Sequence, residues 1–299
     1  MNYHWVSVED HHSVPSHCDV NHLIAHLLSD SQGEGFLPQW EARTATEEQL
    51  MAENNNRGRT VERSLDIVDY VSTVRSPVKL SQISRQTGLH LATTQRLATT
   101  LVQRGYLRAS EAGYTVGPSV LSLARAFTLQ DRLSAASFPV LQSLTETTGL
   151  TSSIYVRTGD TRVLTCRVEA PHPMRYQLPI GHRLELTRGG GKIFLAYLSS
   201  EELDGLLPVD SNEDLADGRA QSRDELVREL QEIRHHGYHL SLSERQLGTV
   251  SLTAPIRTSD GDLPGAINIV AHDDTLSEEQ MMNLRPQLMS AARSIGEHM

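Results

Sequence analysis

Residues 60–117 carry an unbroken series of helix, turn and hairpin signals on a local excess of positive charge, and no other stretch restricts the fold as much. Val61, Leu65, Ile67, Val68 and Val71 recur at helical spacing and form the expected buried stripe of a helix over about 60–74, which Pro77 stops. Ser81 is the expected N-cap of a short helix over 81–87, and Gly88 supplies the turn after it. A second helix over about 91–104 turns Leu97, Leu101, Thr94 and Val102 inward. Its other side carries Ala92, Thr93, Gln95, Arg96, Thr100 and Gln103. Gly105 ends it, and residues 106–108 can pair with 114–116 across a turn at 110–113. Helix, helix–turn–helix and hairpin in that order predict a winged module that binds duplex DNA.

Charge supports the same reading. The 299-residue chain has a formal net charge of −10, which would argue against a nucleic-acid partner if it were evenly spread. Residues 57–117 instead hold nine Lys and Arg against four acids, a balance of +5, between flanks of −8 (1–56) and −7 (118–299). A basic island on an acidic chain is the electrostatic footprint of a nucleic-acid module. Cys18 and Cys166 are the two cysteines, too few for a disulfide framework, so a reducing cytoplasm is the expected compartment. No stretch approaches the ~20 apolar residues that span a bilayer, and the first residues lack the pattern of a signal peptide.

Four segments follow from the punctuation. Residues 1–58 read as a largely irregular or disordered extension, with weak helices near 19–29 and 44–53, both tryptophans (Trp5 and Trp40) and a linker at 54–58. Residues 59–117 are the winged unit. Residues 118–134 form a linker helix opened by Pro118, with Val120, Leu121, Leu123, Ala124, Phe127 and Leu133 as an apolar stripe that packs on a partner. Residues 135–299 alternate helices with short strands: a helix 135–148, strands 151–156 and 163–169, a strand 175–178, helices 191–198 and 222–235, strands 250–256 and 266–270, and a last helix 277–294. The fold class is α+β, with antiparallel hairpins after the winged unit.

Taken together, several landmarks resemble the isocitrate-lyase-regulator (IclR) family of bacterial transcription factors. They include Ser-Leu-Asp-Ile at 64–67, Gly-Leu at 88–89, Gln-Arg-Leu at 95–97, Gly-Tyr-Leu at 105–107, Tyr-Thr-Val-Gly at 114–117, Arg-Val-Glu-Ala-Pro-His-Pro at 167–173 and Gly-Lys at 191–192. The similarity covers roughly 59–296. It implies a C-terminal effector-binding domain related to GAF and PAS folds, and homodimers or homotetramers on palindromic operators. It also implies control by a small-molecule effector, an organic acid, that raises or lowers transcription. Matched position by position, the effector residues are Gly189, Gly190, Ser241, Thr249, Ser251 and Asn268. The chain departs from the family at His90-Leu91-Ala92, where Pro-Lys-Ser is usual, and at Ser241, Ser251 and Val270, so ligand identity does not transfer.

In a winged module the second helix enters the major groove with its N-terminal half. Thr93, Gln95 and Arg96 can therefore reach bases or phosphates; Arg grips guanine and Gln adenine bidentately. Arg96 reads equally as a phosphate contact. Arg85, Arg104 and Arg108 read as phosphate clamps or as solvated surface charges. Gly189-Gly190-Gly191 reads either as an anion cradle before a helix N-terminus or as a turn that needs positive φ.

Other chemistries fit less well. Six of fourteen histidines (His4, His11, His12, His17, His22 and His26) lie beside Cys18, and His22 and His26 share a helical face, but no paired ligand motif accompanies them. A solvated tail accounts for them, and neither a metal site nor a cofactor is expected. Gly-x-Ser-x-Gly and phosphate-loop motifs are absent, so the chain is not read as an enzyme. The competing reading is a metabolite- or metal-sensing module with weakened DNA binding.

Overall fold

A computed structural model of the protein describes residues 47–171, 178–207 and 212–299. The irregular extension before residue 47, with its expected helix near 19–29, its tryptophans and its histidines, lies outside the described residues. So does the strand expected at 175–178, save Leu178.

Helix α1 (Glu47–Thr73) runs through 54–58, which corrects the linker read there. Asn and Gly each cost no more than about 1 kcal/mol relative to Ala inside a helix, and no proline interrupts the run. The chain divides into two units at Asp66/Ile67, within α1. The expected stripe is also corrected: Val61 and Leu65 are 60% and 58% exposed, whereas Ile67 and Val71 are buried.

Helices α2 (Leu80–Thr87) and α3 (Leu91–Gln103) form the helix–turn–helix. Gly88 closes α2 at φ 67°, a left-handed conformation that an L side chain resists. The N-cap position is Lys79 rather than Ser81, and its backbone N–H donates to Gln82 Oε1 at 2.8 Å. Ile67, Val71, Val78, Ile83, Leu97, Ala98 and Leu107 make a compact apolar core. Strands β1 (Leu107–Ser110) and β2 (Gly113–Val116) form the wing, with Leu107 opposite Val116 and Val78 bridged to Tyr114. A Cβ on Gly113 would lie 2.6 Å from Val78 O, so the wing needs glycine there.

Helix α4 (Ser119–Gln130) follows Pro118 but buries none of its residues. Asp131 ends it and caps α5 (Arg132–Thr148) by accepting the Ser134 N–H. Leu133, read above as part of the linker stripe, is therefore a buried residue of α5.

Beyond α5 a six-stranded sheet has the order β5-β4-β3-β10-β9-β8, every neighbouring pair antiparallel. Its strands are β3 (Thr151–Thr158), β4 (Thr161–Val168), β5 (Arg183–Glu185), β8 (His239–Leu242), β9 (Thr249–Ile256) and β10 (Gly265–His272). Alternation gives the sheet two unlike faces. One carries Ile154, Cys166, Leu252, Ala254, Ile267 and Ile269, packed with Leu141 and Leu144 of α5 and Leu288, Ala292 and Ile295 of α10 (Arg285–Glu297). The other carries Tyr155, Ser153, Leu164, Ala266, Asn268, Val270, Ser251, Thr253 and Ser241, opposed in register across the strands. Part of this face packs on Phe194 of α6 (Lys192–Ala196) and Leu226 and Leu230 of α8 (Arg223–His236).

Helix α7 (Ser200–Leu206) and the hairpin β6 (Asn212–Asp214) and β7 (Ala220–Ser222) lie between α6 and α8 in sequence. The last expected helix is two, α9 (Glu278–Asn283) and α10, with Pro286 in the first turn of α10. Ile269 is fully buried on the apolar face. Ile269→Ala is expected to cost about 2–5 kcal/mol, seen as a lower urea midpoint with the slope unchanged.

Candidate functional site

The helix–turn–helix presents Gln95 and Arg96 on an exposed face of α3, with Thr93 half-buried beside them. Thr94, Leu97 and Ala98 hold the opposite face in the core. Gln95 Nε2 donates to Thr99 Oγ1 at 3.3 Å, a weak local bond that leaves its carbonyl oxygen unengaged by that contact. Arg85, Arg104 and Arg108 are all exposed on α2, the end of α3 and the wing.

The second candidate site lies on the polar face of the sheet. Gly189, Gly190, Ser241, Thr249, Ser251 and Asn268, the six effector residues inferred from the sequence, line one cavity of about 40 Å³. That exceeds the ~10–15 Å³ a single water requires. Asn268 Nδ2 donates to the neighbouring Thr253 Oγ1 at 2.8 Å. Gly190 is tightly enclosed: a Cβ there would sit 2.4 Å from Thr253 Oγ1 and 2.7 Å from Arg162 Nη1.

The sequence reading missed the cavity's charge. Arg162, Arg167 and Arg245 line it together with Tyr155, and among the described residues no carboxylate does. Arg162 is 3% exposed; its guanidinium stacks over Tyr155 at 4.6 Å and donates to Arg188 O at 3.3 Å. Burial lowers its pKa from 12.5 to about 10, against partial compensation from Tyr155. Strict alternation along β4 would place Arg162 and Arg167 on opposite faces. A bulge shifts the β3–β4 register between Ile154 and Tyr155, so that Tyr155 opposes Leu164 while Ile154 opposes Cys166. The extra residue, Thr165, turns Arg167 back to the face that carries Arg162. Nothing in the residue pattern announces that bulge.

Of the two readings of the glycine stretch, the geometry is closer to the turn that needs positive φ than to an anion cradle. Gly189–Gly191 is a single 3-10 turn, and α6 behind it is five residues long rather than a helix over 191–198, so its dipole is small. Gly189 has φ 57°, and its N–H donates to Glu244 Oε2 at 2.8 Å. Glu244 belongs to a buried cluster. Lys192 Nζ lies 2.7 Å from Glu244 Oε2 and 2.8 Å from Glu229 Oε2, and His239 Nε2 lies 3.3 Å from Glu244 Oε1. The His239 contact falls short of an aligned hydrogen bond, since Nε2 has no partner by geometry. Donor atoms of Glu229, His239 and Glu244 converge within 4.8 Å, as metal ligands would, but the Lys192 ammonium already bridges both carboxylates. The cluster fixes the turn that borders the cavity.

Family models match two stretches: the IclR helix-turn-helix domain at residues 60–111 and the bacterial transcriptional regulator IclR C-terminal domain at 128–297. The chain belongs to the IclR family, DNA-binding transcriptional regulators with an effector-binding C-terminal domain, rather than to a family of enzymes. It is 27% identical over 238 residues to the transcriptional repressor IclR of Escherichia coli, covering 78% of this chain and 87% of the repressor. It is 28% identical over 249 residues to the HTH-type transcriptional regulator BhcR of Paracoccus denitrificans, covering 82% and 89%. An IclR homologue from Microbacterium hydrocarbonoxydans, solved in complex with 4-hydroxybenzoate, shares the fold at a TM-score of 0.64 and 18% identity, over 80% of this chain and 98% of that one.

Burial pushes the Glu244 carboxyl up, but His239 and then Lys192 outweigh it and hold its pKa at about 2, below the usual 4.5. A depressed carboxylate stabilises the fold fully above the unfolded-state value and loses that contribution as pH falls through the folded one. Glu244→Gln is therefore expected to lower Tm at pH 7, and the gap to wild type should close between pH 4.5 and about 2. Thermal melts across that range check it.

Proposed function

We propose that residues 59–117 seat α3 in the major groove of a palindromic operator, and that an organic acid bound in the sheet cavity of residues 135–299 alters this binding. The observation that carries the reading is that the six residues implied by the family resemblance line one guanidinium-rich cavity. Gln95 and Arg96 contact base edges or phosphates and Thr93 supports them, while Arg85, Arg104 and Arg108 grip the backbone. The effector is held by Asn268, Ser241, Ser251 and Thr249 beside the Gly189-Gly190 turn. The complex between a relative and 4-hydroxybenzoate supports a carboxylate as its class. Among the described residues no helix is long and apolar enough to cross a membrane; with two cysteines and a DNA partner, the cytoplasm is the compartment that fits. The alternative with weakened DNA binding is not favoured, because the helix-turn-helix model matches over 60–111.

Homodimerisation through α4 is part of the same proposal. Leu121, Leu123, Phe127 and Leu129 are 49–69% exposed, and apolar residues on most of a helix surface call for a covering partner. A second copy using the same helix would place two winged units for two half-sites.

Four measurements test this reading. A gel shift on the DNA upstream of the protein's own gene should show specific binding that weakens steeply with salt. Arg96→Ala should abolish that specificity; intact specific binding would remove α3 from the interface. Gly190→Trp should leave DNA binding in place and lose any response to organic acids, because its side chain meets Thr253 and Arg162. Leu121→Lys with Phe127→Lys should shift sedimentation toward the monomer.

A further inference from the structure

Arg162 is buried, fully charged near neutral pH and without a carboxylate partner, since no ion pair involves it among the described residues. Its Nε has no hydrogen-bond partner and is cut off from solvent by the surrounding protein. Arg167, half-buried, repeats part of the pattern: its Nη1 donates to Leu178 O, its Nε is buried and unpartnered, and it forms no ion pair among the described residues. Taking a cation out of water without a counter-charge is strongly unfavourable, and such groups persist where something else supplies the charge. Two acids act on Arg162 from outside hydrogen-bond reach: Glu244 is already engaged by Lys192, His239 and the Gly189 N–H, and Glu185 is exposed beside Arg188. Among the described residues, the cavity wall that both guanidiniums line contains no Asp or Glu.

We propose that the effector of this chain is a compact dicarboxylate, one carboxylate held by Arg162 at the Gly189-Gly190 turn and the other by Arg167 at the Leu178 end of the cavity. The inference rests on the effector reading of this cavity and specifies the ligand's charge and shape. Two separate anionic groups fit better than one doubly charged centre. The arginines stand five positions apart on β4, roughly 13–16 Å along an extended strand, and their guanidiniums are tied to different carbonyls, Arg188 O and Leu178 O. The Ser251 hydroxyl and the Asn268 amide line the same cavity, with Asn268 in the cross-strand row of Arg167, and offer polar contacts to a short chain. An arginine fork takes a carboxylate through two parallel N–H donors, and the unpartnered Nε of each residue is one of the donors such a fork uses.

The test uses the full-length protein in a thermal-shift and calorimetric series with malonate, succinate and glutarate, against propionate, butyrate, benzoate and inorganic phosphate. At least one dicarboxylate should stabilise the protein and bind at least tenfold more tightly than each monocarboxylate and phosphate. Arg162→Met and Arg167→Met should each weaken it by tenfold or more. A second readout needs no ligand: Arg162→Met should raise the Tm of the free protein, by roughly 2–4 °C, because it removes an uncompensated buried charge. A merely structural arginine would lower it. Monocarboxylates or phosphate binding as well as the dicarboxylates would overturn the proposal. So would unchanged binding in both variants, a lower Tm for free Arg162→Met, or no stabilisation by any dicarboxylate. If these failures occur in a protein that still shifts its operator, the regulator reading stands and only the ligand class falls.

Discussion

The C-terminal domain depends on a sheet that buries both of its faces but pairs the groups on only one of them. On the α5 and α10 side, β3, β4, β9 and β10 present Ile154, Cys166, Leu252 and Ile269, and burial of these apolar groups supplies the driving force for that layer. On the other side the same strands present Ser153, Arg162, Arg167, Ser251 and Asn268, groups that a core built for stability alone would exclude. Several remain without partners: the Nε atoms of Arg162 and Arg167 and the Ser153 hydroxyl. Groups of this kind are expected where stability is given up for recognition.

The Lys192 cluster makes this arrangement rigid. Glu244 accepts from Gly189 N–H while Lys192 neutralises it, so the backbone turn at the rim is tied to a buried ion pair rather than left to a loop. Removing either partner would strand a buried charge, which is why such pairs define geometry better than they add stability. A ligand that completes the charge of Arg162 therefore meets a preformed wall, and its binding energy can go into shifting the population of subunit arrangements.

Much of this was legible in the residues, for identifiable reasons. Gly88, Gly105 and Gly113 mark the winged unit because turns of that geometry exclude most side chains, and all three take positive φ. Alternation gave the central strands, whereas the cavity residues Gly189, Gly190, Ser241, Thr249, Ser251 and Asn268 came from the family resemblance. The failures are equally physical. Helix α1 continues through an Asn-rich stretch because propensity is a weak constraint beside the absence of proline. The inward turn of Arg167 depends on a one-residue bulge, and alternation by itself predicts the opposite. The residue pattern around Lys192 says nothing of its burial, which only the three-dimensional approach of Glu229 and Glu244 explains.

Coupling between the sheet cavity and α3 is the central claim, and thermodynamic reciprocity tests it most directly. Operator affinity should be measured by fluorescence anisotropy with and without a saturating dicarboxylate that binds the protein. The affinity of that dicarboxylate should then be measured with and without operator. The account predicts that both change by one common factor, on the order of 5–150-fold. A ligand that occupies the cavity while operator affinity stays the same would contradict it.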